Sequence, residues 1–151
     1  MSERAAMSRL VVIEDGDEYA EFARVFLAEL EIASAHSAAD AAAQLRARDA
    51  DALLIDLRFD RAPPDVLVGD VAATAARLFA GDSERALRYL QDEQGTLILA
   101  ALRAAGFAHP ALFVHDFPPR RLANLQRLYG DVDAVPSLDA AAIRRALGRA
   151  R

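Results

Sequence analysis

Short apolar runs alternate along the chain with stretches in which apolar residues recur every three or four positions. A run of four apolar residues that stops at polar or turn residues is typical of a buried strand, whereas the three-and-four spacing is typical of a helix with one apolar face. Three such runs predict buried strands, and two weaker patterns, at residues 32–35 and 132–135, bring the predicted strands to five. They span residues 10–13 (LVVI), 32–35 (IASA), 52–55 (ALLI), 111–114 (ALFV) and 132–135 (VDAV).

Helical stretches fill the intervals between these strands. They are predicted over residues 19–30, over 38–48 behind an N-cap at Ser37, over 86–105, from Pro118–Pro119 to Gly130, and after Ser137 to the end. Because strands and helices alternate at this spacing, we expect βαβ units, right-handed crossovers and one parallel sheet with helices on both faces. The predicted fold is a single α/β domain, (βα)5 and doubly wound, preceded by a flexible lead at residues 1–8.

One interval is too long for a single loop and helix. More than 50 residues separate Asp56 from the strand at 111–114, where about 25–30 suffice. Gly95 interrupts the helical pattern over 86–105 at a cost of ~1 kcal/mol, so that either one helix or two helices meeting there are predicted. Residues 58–85 are an insertion with a further helix near 71–80. Its apolar residues predict either a new interface or a cover for the sheet edge or Asp56; they are Val66, Leu67, Val68, Leu78 and Phe79.

Composition excludes several kinds of chemistry. All 18 basic residues are arginines, so Schiff-base and phosphate-loop lysines are excluded. The chain has no cysteine and three isolated histidines, which argues against disulfides and zinc sites. No apolar run approaches the ~18 residues of a membrane span, and the first residues lack the apolar core of a signal peptide. We therefore expect a cytoplasmic protein that does not bind membranes.

Charge is distributed unevenly along the chain. Residues 1–60 hold 13 acids and 6 arginines, a net charge of −7, whereas residues 118–151 hold 3 acids and 7 arginines, a net charge of +4. The overall charge of −5 argues against a dedicated nucleic-acid binder. The basic end indicates either solvated helix faces or a surface for an acidic partner protein.

Acidic residues follow two of the predicted strands directly. Glu14 and Asp15 end the first strand, and Asp56 ends the third. The carboxyl ends of parallel strands share one edge of a sheet, where ligands bind. Clustered carboxylates repel one another unless a cation offsets them, and Mg²⁺ prefers such oxygen ligands. A carboxylate beside Mg²⁺ can also attack phosphorus. Alternatively, acids at helix starts interact favourably with the positive end of the helix dipole, although this explains Asp56 less well.

The segments around these acids resemble a known family. LVVIEDGDEYAEFARVFL followed by DALLIDL resembles the start of a response-regulator receiver domain, QGTLILAALRAAG its third helix and PALFVHD its fourth strand. The resemblance covers most of the chain outside residues 58–85. It implies a flavodoxin-like sheet of order 2-1-3-4-5, with Asp56 as phosphoacceptor. It also implies Mg²⁺ held by Glu14, Asp15 and Asp56 with the backbone carbonyl of Arg58.

The chain departs from that family at three positions. His115 stands where the family has Ser or Thr, Val135 stands where it has Lys before a proline, and Ala134 replaces the aromatic switch residue. We therefore expect the coupling between phosphorylation and shape change to be lost. Arg58 either folds its guanidinium into the acid pocket in place of Mg²⁺ or the lysine, or is a solvated loop residue. His115 either contacts the phosphoryl group or Asp56, or is a partly buried polar residue.

Three functional hypotheses follow. The first is an atypical receiver module of bacterial two-component or phosphorelay signalling, which acts by contact with a histidine kinase, an acidic output protein or a second copy of itself. The second is a pseudo-receiver scaffold without phosphate chemistry. The third is a toprim-like Mg²⁺-dependent phosphate-processing enzyme, disfavoured because Arg58 stands where its motif has a second Asp. The resemblance places the output surface on the basic end, with Arg120, Arg121, Arg127, Arg144, Arg145 and Arg149.

Overall fold

The computed structural model describes residues 8–149, so the predicted lead lies outside the described residues except for Ser8. The strands are β1 Arg9–Ile13, β2 Glu31–Ala35, β3 Ala52–Asp56, β4 Ala111–Val114 and β5 Val132–Val135. The helices are α1 Glu18–Phe26, α2 Ala38–Ala47, α3 Val71–Leu78, α4 Ser83–Asp92, α5 Gln94–Ala104, α6 Pro119–Tyr129 and α7 Ala140–Arg149, with a short 3₁₀ turn at Pro64–Val66.

The five strands form one parallel sheet in the order β2-β1-β3-β4-β5. Helices α1 and α7 pack on one face, and α2, α5 and α6 pack on the other. Every residue of β1 and the first four residues of β3 are buried, as expected for strands covered on both sides. The predicted fold class and strand order are confirmed.

Several helix starts follow the capping signals of the sequence. The Ser37 hydroxyl accepts a hydrogen bond from the Asp40 N–H at 3.0 Å, as predicted. Asp70 and Asp82 cap α3 and α4 in the same way. Gly130, with φ of +82°, ends α6 in a conformation that side chains other than glycine disfavour.

The helical pattern over 86–105 forms two helices that meet at Glu93. Gly95 lies in the first turn of α5, where its N–H donates to the Leu57 carbonyl at 2.8 Å. A Cβ at this position would collide with the Asp56 carbonyl oxygen and lie 2.8 Å from the Leu57 Cα. The glycine thus permits close approach of α5 to the backbone that follows β3.

The insertion forms the α3–α4 pair and is packed onto the sheet domain, with α4 crossing the boundary expected at residue 85. Phe59 and Leu67 are buried in the same cluster as α2 and α5, whereas Val66 and Leu78 are exposed. Gln94 is 0% exposed. Its side chain accepts from the Val68 N–H at 2.6 Å and donates to the Val68 carbonyl at 3.2 Å. These contacts fasten the insertion to α5.

Within residues 8–149, none of the helices is both long and apolar enough to cross a membrane.

Candidate functional site

The carboxyl ends of β1 and β3 lie side by side at the centre of the sheet. Ile13 is paired with Ile55 in the parallel register, so Glu14 and Asp56 leave the sheet as neighbours. Asp15 follows Glu14 into the loop before α1. The three acids predicted to share an edge of the sheet therefore do so, and this edge is the candidate site.

Glu14 is buried and uses both carboxylate oxygens to cap α1. Oε1 accepts from the Tyr19 N–H at 3.0 Å, and Oε2 accepts from the Ala20 N–H at 2.8 Å. Asp17, the residue at the N-cap position, makes no capping bond with its side chain. Burial raises the pKa of Glu14, and the two backbone donors oppose that rise. Glu14 thus supplies the two acceptors that the first turn of α1 needs.

Asp15 is bound by Arg61, a residue of the insertion. The Arg61 N–H donates to Oδ2 of Asp15 at 2.8 Å, and the guanidinium Nη2 lies 3.4 Å from Oδ1. The same Nη2 lies 3.0 Å from Oε1 of Glu18. Hydrogen bonds to these two carboxylates raise the pKa of Arg61. A guanidinium therefore bridges Asp15 and Glu18, the first residue of α1.

Gly16 makes room for this guanidinium. A Cβ at position 16 would collide with Nη2 of Arg61 and with Oε2 of Glu18. Gly16 therefore leaves the space that the Arg61 guanidinium occupies.

Asp56 is partly buried and accepts two hydrogen bonds on Oδ1. One comes from the Tyr19 hydroxyl at 3.3 Å and the other from the Arg58 N–H at 3.3 Å. Burial raises the pKa of Asp56 to about 6, and the negative charges of Asp15 and Glu14 add to the rise, whereas the two hydrogen bonds oppose it. Burial and the nearby Asp56 also raise the pKa of Tyr19, so its phenol stays protonated and donates.

Arg58 and His115 lie at the β4 side of this edge. Arg58 contributes its backbone N–H to Asp56, and the guanidinium that binds Asp15 is that of Arg61 instead. The His115 ring packs against Phe117 with centroids 4.7 Å apart. Burial lowers the pKa of His115, and the charge of Arg58 adds to this effect. Among the described residues no hydrogen bond joins His115 to Asp56.

The predicted output surface is partly used in contacts within the chain. Arg121 pairs with Glu93 and lies over the Phe117 ring, and Arg144 binds Glu29 at 2.8 and 3.0 Å. The hydrogen bond from Arg144 lowers the pKa of Glu29 to about 2.

The remaining arginines of that surface differ in their contacts. Arg149 pairs with Asp133, and Arg127 contacts Asn124 at 3.3 Å. Arg120 and Arg145 are exposed and have no hydrogen bond or ion pair within residues 8–149. Of the predicted surface, Arg120 and Arg145 are thus the most available to a partner.

In this arrangement two of the three acids of the edge are not open to Mg²⁺. Magnesium is bound by one or two carboxylates plus water in octahedral geometry, but Glu14 caps α1 and both oxygens of Asp15 bind Arg61. Among the described residues no group of three or more His, Asp or Glu side chains is arranged to hold a metal ion. The negative charge of the edge is offset by the Arg61 guanidinium and by backbone N–H groups.

Tyr19 and Arg61 are the two site residues that sequence reasoning missed. Tyr19 is the first residue of the predicted helix over 19–30, and its hydroxyl extends to Asp56. Arg61 lies in an insertion whose path no pattern predicts. The one signal in the sequence was Gly16, a residue without a side chain between two acids.

Comparison with known proteins supports the fold. A scan against protein-family models finds no match, and neither does a search of curated proteins. Among solved structures, the chain is similar to the chemotaxis protein CheY4 of Vibrio cholerae, with a TM-score of 0.63 and 14% identity over 97% of this chain and 100% of that one.

Two further solved structures give the same result. The CheY-like response regulator receiver domain of Methylobacillus flagellatus has a TM-score of 0.60 and 18% identity, over 95% of this chain and 98% of that one. The signal receiver domain of an HD domain-containing protein of Pseudomonas fluorescens Pf-5 has a TM-score of 0.59 and 12% identity, over 98% and 92%. The chain thus has the fold of a response-regulator receiver domain.

Proposed function

We propose that the chain is a receiver-like signalling module that acts by protein–protein contact and does not depend on phosphorylation of Asp56. The fold supports the signalling part of the proposal, and the contacts at the acidic edge support the second part. In this proposal Asp56 and its neighbours hold the loops of the edge in one arrangement. The exposed helices then present a constant surface to a partner.

The observation that carries the proposal is that the acids of the edge are already occupied by partners from the chain itself. A phosphoryl group approaching Asp56 brings negative charge to a place where Glu14 and Asp15 are also negative. Enzymes and receivers meet such charge with a metal ion or a lysine. Here Glu14 caps α1, Asp15 binds Arg61, and position 135 is a buried valine. The Tyr19 hydroxyl and the Arg58 N–H also bind Oδ1 of Asp56.

The proposed partner surface includes α6, β5 and α7, where Arg120, Arg127 and Arg145 are exposed. Exposed arginines on one side of a net acidic molecule favour an acidic partner protein. The partner can be a kinase, an output protein or a second copy of the chain, whose residues 1–60 carry the opposite charge.

Incubation of the full chain with acetyl phosphate and Mg²⁺, followed by intact-mass spectrometry, tests the proposal. We expect no mass increase at any Mg²⁺ concentration, and the Asp56→Asn variant is the matched control. A mass increase of one phosphoryl group that Asp56→Asn abolishes would contradict the proposal and establish Asp56 as the phosphoacceptor.

The same proposal predicts that partner capture depends on charge and not on phosphorylation. Reversal of Arg120, Arg127 and Arg145 to Glu is expected to abolish capture, while Asp56→Asn leaves it unchanged. Reversal of Arg24, Arg46 and Arg77, three exposed arginines elsewhere, serves as the control. Equal capture by both triple variants would contradict the assignment of the surface.

A further inference from the structure

We infer that Arg61 is the resident cation of the acidic edge, supplied by the insertion in place of a divalent metal ion. This inference deepens the proposed function, because it names the group that makes metal binding unnecessary. It assigns a role to a residue that no sequence motif marks.

Arg61 is attached to the edge at two points. Its backbone N–H and its guanidinium both bind Asp15, at 2.8 and 3.4 Å. The Asp15 side chain is only 6% exposed, whereas the Arg61 side chain is 62% exposed. The interaction therefore differs from an ordinary surface ion pair, in which both charges are well solvated and the net stabilisation is small.

Neighbouring residues hold this part of the insertion in place independently of Arg61. Phe59 is buried in the core, and its N–H donates to the Gln91 carbonyl at 2.8 Å. The Ala62 carbonyl accepts from Nε2 of Gln91 at 3.2 Å. Because α4 fixes the residues on both sides of Arg61, the Arg61 guanidinium is held in one position.

The charges around Asp15 favour a cation at that position. Burial is the main cause of the raised pKa of Asp56, but the charges of Asp15 and Glu14 add to it, so the three acids lie close enough to act on one another. A planar guanidinium can bind Asp15 and Glu18 at the same time, which suits a site with two carboxylates. Arg58, although nearer to Asp56 in sequence, does not make these contacts.

If Arg61 takes the place of a metal ion, removing its guanidinium uncovers the carboxylates for a divalent cation. We therefore expect Arg61→Ala to bind Mn²⁺, a spectroscopic substitute for Mg²⁺, at least tenfold more tightly than the wild-type chain. Arg61→Lys keeps a cation on the same segment and is expected to bind Mn²⁺ as weakly as the wild type. Arg58→Ala, the matched control, is also expected to behave as the wild type.

The measurement is a titration of each full-length variant with MnCl₂, followed by water-proton relaxation and calorimetry. Addition of Asp15→Asn to Arg61→Ala is expected to abolish the gained affinity, which locates the ion at this edge. Equal Mn²⁺ affinity of the wild type and Arg61→Ala would overturn the inference, whether both bind tightly or neither binds.

A second variant tests the same point if Arg61→Ala does not fold. Gly16→Ala places a methyl group where Nη2 of Arg61 lies and displaces the flexible side chain without removing it. It is expected to raise Mn²⁺ affinity as well, whereas Gly148→Ala, where a Cβ meets open space, is the control. No gain in Gly16→Ala would then overturn the inference. The acetyl phosphate assay on the wild type is a separate readout, so failure of the proposed function is distinguished from failure of this inference.

Discussion

At the scale of single residues, the ionisation of Asp56 links the candidate site to stability. Its pKa is about 6 in the folded chain, chiefly because of burial, against 3.8 for an unperturbed Asp. Between these values the folded state binds more protons than the unfolded state. The free energy of unfolding therefore falls as the pH rises from about 4 to about 6, and above pH 6 the full cost of the buried charge is present.

Asp56→Asn removes this cost and keeps an acceptor for the Tyr19 hydroxyl. At pH 7.5 we expect the variant to be more stable than the wild type by roughly 1–3 kcal/mol. At pH 4 the two should be nearly equal, because Asp56 is then largely protonated in the folded state. Urea unfolding followed by circular dichroism at both pH values measures the difference. If the difference in free energy of unfolding between the two proteins does not change with pH, the ionised form of Asp56 does not destabilise the folded state.

At the scale of elements, the packing of α5 against the end of β3 depends on Gly95. A Cβ there meets backbone atoms of Asp56 and Leu57, which cannot move aside as a side chain could. We expect Gly95→Ala to destabilise the chain by about 1–3 kcal/mol, although alanine is the better helix former.

Gly148→Ala in α7 is the matched substitution, because a Cβ there meets nothing within 4 Å. It should be neutral or stabilising by up to about 1 kcal/mol. Thermal unfolding of both variants gives the comparison. A stabilised Gly95→Ala would mean that α5 does not approach the Asp56 backbone as closely as the structure places it.

The elements themselves were predictable where local pattern and tertiary burial agree. Three of the five strands follow from short apolar runs, and the edge shared by Glu14, Asp15 and Asp56 follows from the two runs that end at acids. The partners of those acids were not predictable. Glu14 caps a helix that begins four residues later, and Arg61 is positioned by contacts of the insertion with Gln91. Such contacts depend on the path of a long loop, which periodicity does not specify.

At the scale of the whole molecule, the insertion and the sheet domain share one core. Gln94 is buried between them and binds both polar backbone groups of Val68, while its Nε2 also donates to the Leu90 carbonyl at 3.0 Å. Buried backbone groups without partners cost free energy. The side chain of one glutamine thus connects the segment that carries Arg61 to the helix that packs on Asp56.

Loss of this connection should loosen the insertion before it unfolds the sheet. We expect Gln94→Leu to leave the Val68 groups without partners and to increase tryptic cleavage after Arg58, Arg61 and Arg77 by roughly tenfold. Cleavage within the sheet domain should stay close to that of the wild type. Limited proteolysis with mass-spectrometric mapping of the fragments measures both rates.

Gln126→Leu provides the control for that experiment, because the Gln126 side chain donates to the Val132 carbonyl at 3.0 Å, a contact between α6 and β5 outside the insertion. It is expected to leave cleavage of the insertion unchanged. If Gln94→Leu accelerates cleavage throughout the chain equally, the insertion and the sheet unfold as a single cooperative unit. Arg61 would then be held over the acidic edge by the stability of the whole domain, and the insertion could not release it alone.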